Sequence, residues 1–287
     1  MPELPEVETV RLGLERKLTD FIIKEVEVLS ERTIASNGGG KEFISNMKGL
    51  KVSLWRRRGK YLIASMKNLN IKSVAKNNAG WWATHLRMTG QFQFHTESCS
   101  PCSHTRVRFW DKENKELRFV DTRNFAQMWW IKPSSSPFHS INGLKTIGPE
   151  PFSKDFNAIY LKEQFKGRKR SIKSILLDQR IVAGVGNIYA DESLFAANIL
   201  PTRESGELTI HELEKLCKSL VKILKISIGE GGTTFSDFRD LEGVNGNYGG
   251  QAWVYRRGNK PCRKCGEKII RKKIAGRGTH WCSNCQI

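Results

Sequence analysis

No stretch of this 287-residue chain approaches the roughly 18 consecutive apolar residues that a membrane-spanning helix needs. Nor does it open as a secretory signal does, with basic residues before an apolar run. The first residues read Met1-Pro2-Glu3-Leu4-Pro5-Glu6-Val7-Glu8, and these acids also disfavour a transit peptide. There is no fixed-period repeat, which argues against a solenoid or propeller array. Acidic residues are scarce, 29 against 48 basic ones, for a formal net charge of +19 and a pI near 9.8. With 39% hydrophobic and 27% charged residues, the chain is not wholly disordered. At roughly 150 residues per domain, its length suits about two domains with a core that needs no disulfides. The expectation is a soluble, intracellular protein whose positive charge meets a polyanion, most often nucleic acid.

The charge is unevenly placed. From Tyr255 to Ile287 there are ten Lys or Arg and one acid, Glu267. Arg56, Arg57, Arg58 and Lys60 form a second cluster, and Lys166, Arg168, Lys169, Arg170 and Lys173 a third. One such cluster alone reads as a solvated face. Three, each beside a turn glycine (Gly59, Gly167, Gly258), fit phosphate contacts better.

Periodicity divides the chain. Val7, Val10, Leu14 and Leu18 recur at helical spacing after Pro5, which suits a first helical turn. Short alternating runs follow: Val26 and Val28, Val52 and Leu54, Tyr61 to Ile63, Val107 and Phe109, Leu117 and Phe119. They predict an antiparallel sandwich over residues 2–132. Residues 133–151 hold four prolines, three consecutive serines and two glycines, and read as a linker. Residues 152–250 read as helical, with Leu213, Leu216, Leu220, Ile223 and Leu224 on one face and a glycine-rich stretch from Gly229 to Gly250. Residues 251–287 form a cysteine module. The fold class is α+β.

Of the seven cysteines, Cys262-x2-Cys265 and Cys282-x2-Cys285, 16 residues apart, match a closed four-thiolate site for one structural Zn²⁺. Such a module is too small to fold without its metal. Arg277 and His280 fall between the pairs, at the expected hairpin tip. Cys99 and Cys102, near His104, read as surface-loop thiols, and Cys217 falls on a helical apolar face. At the other end, Pro2 is small enough for Met1 to be removed. This would bare a secondary amine titrating near neutral pH, since α-amino groups have pKa values of about 7.7–8.0; a helix N-terminus beside it lowers that value further. Glu3 and Glu6 lie within one turn, where a carboxylate serves as acid or base, although spacing alone reads as helix capping.

These residues carry a resemblance to the formamidopyrimidine-DNA glycosylase family along the whole chain. The resembling segments are Pro2 to Thr9; Arg58-Gly59-Lys60-Tyr61-Leu62; His85-Leu86-Arg87-Met88-Thr89-Gly90; Asp121-Thr122-Arg123-Asn124-Phe125; Leu177-Asp178-Gln179 with Val182 to Glu192; and Tyr255 through Gln286. The resemblance implies an N-terminal helix with an antiparallel β-sandwich, a helix–two-turns–helix domain and a C-terminal zinc-finger hairpin. It also implies a base-excision repair enzyme that removes oxidised purines from double-stranded DNA and cleaves at abasic sites. Pro2 would be the nucleophile and Glu3 the acid, with Lys60 and Arg277 completing the catalytic set. His104, Arg123, Asn187, Met88, Phe125 and Lys169 would contact DNA. Met88, Arg123 and Phe125 would fill the void left by the flipped nucleotide, and Gly243 to Gly250 would form a mobile loop over the extruded base. A monomer in the bacterial cytoplasm at the nucleoid, or its organellar equivalent, is implied. Ala126 stands where the family usually has glycine, and Lys76 to Trp82 reads as a small insertion. The competing class, a non-catalytic DNA-binding zinc-finger protein, would share the charge and cysteines but have no need of Pro2, Glu3 and Lys60 together.

Overall fold

The computed structural model describes residues 1–69, 71, 77–234 and 238–287. It opens with α1 (Leu4–Lys17), started by a reciprocal capping box between Glu3 and Glu6 with Pro5 in the first turn. Val7, Val10, Leu14 and Leu18 are all buried. There follow β1 (Glu25–Val28), α2 (Gly39–Met47), β2 (Leu50–Arg58), β3 (Tyr61–Asn68), β4 (Asn78–His85), β5 (Gly90–His95), β6 (Thr105–Trp110), β7 (Glu116–Asp121) and β8 (Gln127–Ile131). Among the described residues these strands form two four-stranded sheets, β1-β6-β7-β5 and β2-β3-β4-β8, with every neighbour antiparallel.

One core joins the two sheets. Trp82 on β4 lies 5.2 Å from Trp55 of its own sheet, and 4.6 Å and 5.9 Å from Phe109 and Phe92 of the other (ring centroids). The segment read as an insertion, 76–82, therefore supplies from Asn78 onward five of the eight residues of an inner strand, paired on one side to β3 and on the other to β8. Lys76 lies outside the described residues.

The expected linker holds two short helices, α3 (Pro137–Ser140) and α4 (Asn142–Lys145). Then come α5 (Ala158–Phe165), α6 (Ile172–Leu176), α7 (Asn187–Ala197), α8 (Ile210–Gly229), α9 (Tyr248–Gln251), β9 (Ile270–Ile274) and β10 (Arg277–Trp281). The compact units differ from the sequence boundaries. One comprises Met1–Lys145 with Gly231–Gly246; the other comprises Thr146–Glu230 with Asn247–Ile287. The cysteine module packs within the second unit, with β10 against α7.

The returning segment Gly231–Gly246 is anchored in the first unit. Leu241 is buried beside Gly13, and its carbonyl accepts from Phe94 N–H at 3.3 Å. Asp240 Oδ1 accepts from the backbone of Glu242 and Val244 at 2.9 and 2.8 Å. The expected mobile loop, Gly243 to Gly250, is thus divided between the units. Its second half enters α9, where Tyr248 is buried and donates to Glu192 Oε2 at 3.1 Å.

Gly90 opens β5 where no side chain fits: a β-carbon there would lie 2.6 Å from the Leu86 carbonyl oxygen and 2.9 Å from both Ala126 Cβ and Phe119 Cζ. Ala126, with its extra methyl, therefore faces a glycine. Gly90→Ala is expected to cost about 1–3 kcal/mol in urea unfolding. Adding Ala126→Gly should recover only part of it, because the carbonyl clash remains.

Candidate active site and nucleic-acid interface

In the first unit the N-terminal turn is sealed. Pro2, Glu3 and Glu6 are buried, whereas Met1 is 47% exposed. Glu6 Oε2 accepts from Glu3 N–H at 2.8 Å, and Glu6 Oε1 accepts from Thr233 N–H at 2.8 Å. One carboxylate thereby fixes both the candidate acid and the returning segment. Gly232 makes that approach feasible: at φ +82° it brings its backbone to where a β-carbon would lie 3.0 Å from Glu6 Oε1.

Lys60 is buried to 6% exposure in the Gly59-Lys60 turn between β2 and β3, closed by Arg58 opposite Tyr61. Arg57 ties this turn to α1. Its Nε donates to Glu8 Oε2 at 3.0 Å and its Nη1 to the Gly59 carbonyl at 3.2 Å. Arg57 is therefore structural, unlike the phosphate-contacting residue that its cluster suggested. His85, at the end of β4, accepts from Arg87 N–H through Nδ1 at 2.9 Å. Burial first, then the charges of Arg87 and Lys60, lower its pKa to about 3, so a neutral imidazole packs edge-on to Tyr61 at 4.5 Å.

Asp121 brings the two groove loops together. It is 1% exposed. Its Oδ2 accepts from Phe125 N–H and Ala126 N–H, each at 2.8 Å, and its Oδ1 from Arg123 N–H and the Thr89 hydroxyl. Asn124, at φ 52°, is held from behind by Ser30 and Thr33. The result is a half-buried Met88, an exposed Arg123 and a Phe125 that is 44% exposed. Neither Met88 nor Phe125 belongs to the buried core. Guanidiniums of Arg123 and Arg32 each lie 5.2 Å from the Phe125 ring. The sequence offered His85 and Asp121 only as the first residues of two resembling segments and gave no sign of Arg32, so none of the three was identified as an organiser. His104 is exposed, and its carbonyl accepts from Asp121 N–H at 2.9 Å.

In the second unit, Gln179 closes the two turns before α7. It accepts from Gly184 N–H at 2.8 Å and donates to the Val185 carbonyl at 2.7 Å. The N-cap of α7 is Gly186, one residue before Asn187. Asn187 donates from Nδ2 to the Gly278 carbonyl at 3.0 Å, and its Oδ1 is buried without a hydrogen-bond partner among the described residues. In this structure the side chain is therefore turned toward β10, next to the hairpin tip. Lys173, counted among the surface charges, is 1% exposed and pairs with fully buried Asp191 at 2.6 Å. Its Nζ also donates to the Gly278 carbonyl and the Thr279 hydroxyl, while Asp191 Oδ2 accepts from His280 N–H at 2.9 Å. This buried pair, invisible in the sequence, holds the strand that begins with exposed Arg277. Lys169 is exposed on the loop after α5.

Cys262, Cys265, Cys282 and Cys285 place their sulfurs within 4.8 Å of one another. The Cys262–Cys285 and Cys265–Cys282 separations are 3.9 and 3.4 Å. A tetrahedral Zn²⁺ with Zn–S of about 2.3 Å requires sulfurs about 3.8 Å apart, so the four fit the ion. It supplies structure only, since all four positions are filled by protein.

Two outcomes follow from these geometries. Chelation, or Cys282→Ser, is expected to release one zinc and deprotect the β9 and β10 amides in hydrogen exchange while leaving the first unit protected. His85 takes its proton near pH 6.5 when unfolded and near 3 when folded, so stability falls as pH drops from 6.5 towards 3. Its ring NMR signals should stay constant from about pH 8 to pH 4.5, and a midpoint near 6.5 would contradict the assignment.

Comparison with known proteins agrees along the chain. Residues 1–128 match the formamidopyrimidine-DNA glycosylase N-terminal domain, 147–239 the H2TH domain of that glycosylase, and 259–287 the zinc finger found in FPG and IleRS. The formamidopyrimidine-DNA glycosylase of Prochlorococcus marinus (strain MIT 9211) is 65% identical over 287 residues, covering 100% of both chains. Two solved structures each share 31% identity at a TM-score of 0.88, covering 99% of both chains. One is a Lactococcus lactis FPG variant bound to Fapy-dG-containing DNA; the other is Lactococcus lactis Fpg bound to DNA with an abasic site. With three domain matches in order and a full-length relative well above half identical, the chain belongs to the formamidopyrimidine-DNA glycosylase family.

Proposed function

We propose that this glycosylase acts on double-stranded DNA, excises oxidised purines such as 8-oxoguanine and ring-opened formamidopyrimidines, and then cleaves the strand as an abasic-site lyase through Pro2. The observation that carries the reading is the buried first turn, with Glu3 held by Glu6 next to Pro2. Removal of Met1, whose side chain is accessible, turns the Pro2 nitrogen from an amide into a secondary amine just ahead of a helix N-terminus, where the ammonium form is disfavoured. The damaged nucleotide leaves the stack, because its C1′ is out of reach within a duplex. The Pro2 lone pair then forms a bond to C1′. The glycosidic electrons leave with the base, which takes up the proton that the Pro2 nitrogen gives up, and Glu3 protonates the sugar ring oxygen as the ring opens. The resulting iminium acidifies the C2′ proton. Loss of that proton expels the 3′ phosphate, and a second elimination expels the 5′ phosphate, leaving a one-nucleotide gap with phosphate at both ends.

Met88, Phe125 and Arg123 are suited to the vacated space, since thioether and ring replace lost stacking and a guanidinium pairs with the orphaned base. Lys60, Lys169 and Arg277 contribute charge-assisted phosphate contacts, with Arg277 set in place by the zinc-bound hairpin, and His104 adds a hydrogen bond to the same backbone. Asn187 acts on the same backbone, directly or by fixing that hairpin tip. Among the described residues no helix is long and apolar enough to cross a membrane. The setting proposed is the bacterial cytoplasm, with the protein acting as a monomer.

The test is cleavage of an 8-oxoguanine duplex, with borohydride trapping and mass spectrometry of the N-terminus on the same samples. Pro2→Gly should lose activity by orders of magnitude. Glu3→Gln should bind damaged duplex yet release no base, and protein retaining Met1 should bind without reacting. Full activity from Pro2→Gly, or from protein that keeps Met1, assigns the nucleophile elsewhere, with Lys60 next in line. Tight binding with no trapped adduct in the native protein returns the reading to a DNA-binding module.

A further inference from the structure

Within the second unit, the far end of α7 meets α8 and the segment after α9 in an open groove of about 810 Å³. Phe195 and Trp253 stack on one side, with centroids 5.7 Å apart and rings inclined by 23°, and Ile223 and Ile226 line the other. Through Lys222 and Ile226 it continues along α8 into a second depression of about 520 Å³, whose lining includes Cys217 and Val221. Two large apolar side chains remain open to solvent here, Ile226 at 37% and Trp253 at 39%. Lone exposed apolar residues need no explanation, but a continuous apolar trough does.

Its rim decides what fits. Lys218, Lys222 and Lys225 recur along one side of α8 at intervals of four and three, and Arg263 and Lys264 border the trough from the zinc knuckle. Among the described residues no acid lines either depression, and no ion pair engages the three lysines. The occupant must therefore be anionic and must also carry apolar side chains to fill an aliphatic floor. A DNA backbone supplies the first and lacks the second, and one face of Trp253 is already stacked on Phe195. Phe195 lies eight residues along α7 from Asn187, about 12 Å of helix, so an occupant sits at the opposite end from the hairpin-tip contact.

We propose that this trough docks a short acidic segment of a partner protein bearing consecutive large apolar side chains. Its carboxylates pair with the lysine rim and its apolar residues insert between Trp253 and Ile226. Recognition of this kind would bring the enzyme to a partner while leaving the Asn187 end of α7 open.

The experiment uses the full-length zinc-loaded protein. The probe is a fluorescein-labelled nonapeptide of five aspartates followed by leucine, isoleucine, leucine and phenylalanine, read by anisotropy at low salt. Saturable binding is expected with Kd on the order of 10 μM. Lys222→Glu and Ile226→Asp, both at exposed positions, should each weaken it about tenfold or more. Peptides with lysine for aspartate, or serine for the apolar residues, should not bind. Base excision by both variants should match the native enzyme. The proposal fails if the acidic peptide shows no saturable binding up to about 1 mM, or if both variants bind it as the native protein does. It also fails if single-stranded oligothymidylate displaces the peptide and is itself weakened by the same substitutions, which would make the trough a nucleic-acid site.

Discussion

Backbone amides that leave a ladder to face a ligand lose their partners, and a buried one left unpaired costs about 1–3 kcal/mol. This chain meets the constraint repeatedly with one device, a buried carboxylate facing loop amides. Asp121 takes three amides and a hydroxyl across the two groove loops. Glu6 takes the amides of Glu3 and Thr233. Glu192 takes Trp253, Val254 and Tyr255 together with the Tyr248 hydroxyl. Asp191 takes His280 N–H and the Lys173 ammonium. Bonds to a charged acceptor are roughly twice as strong as neutral ones, so a few side chains suffice to order segments that have no sheet of their own.

The device has an electrostatic cost that differs from site to site. Burial pushes the Glu192 carboxyl up even against four donors. Asp191 has a full counter-charge in Lys173, and removing one member of such a pair leaves the other uncompensated at about 3–5 kcal/mol. At Glu116, burial pulls upward, but hydrogen bonds from Arg118 and Arg108 outweigh it and hold the carboxyl at about 2. A basic chain thus places several of its scarce acids inside, as anchors, and much of its unpaired positive charge outside. That is a physical origin for a polyanion-binding surface, beyond the raw composition.

Much of the fold was legible because its signals are local. Val7, Val10, Leu14 and Leu18 share a helical face by spacing alone, and the cysteine pairs define their site by count and separation. The illegible parts are those in which distant residues satisfy one another. Lys173 and Asp191 are 18 positions apart, and nothing in either neighbourhood marks a buried pair; by sequence Lys173 belongs to a surface cluster. Arg57 likewise reads as a phosphate ligand until Glu8 is found against it. The return of Gly231–Gly246 to the first unit has no periodicity to announce it, because what fixes it is Leu241 beside Gly13 and Thr233 on Glu6. The candidate nucleophile and acid were named through family likeness; their burial is a property of tertiary structure.

The second unit shows how one short helix sets the position of a metal module. α7 is buried on nearly every side: eight of its eleven residues are inaccessible, and these include Asp191 and Glu192, whose carboxylates are met by partners inside the unit. The β10 arm of the zinc hairpin and the knuckle that follows it are fastened along α7. Asn187 holds the Gly278 carbonyl at the first turn, Asp191 holds His280 one turn later, and just past the last turn Asn198 donates to the Cys285 carbonyl. Ile287 N–H and the Leu200 amide add a reciprocal backbone pair with Asn198 and Ile287 carbonyls. Zinc fixes the knuckles relative to each other, and α7 fixes the hairpin relative to its own unit. Neither alone would place Arg277, because a folded finger free to pivot and a docked strand without its metal lose the same side-chain position. Metal site and helix are therefore one positioning device, which accounts for a module of such short sequence spacing packing as part of the larger helical unit.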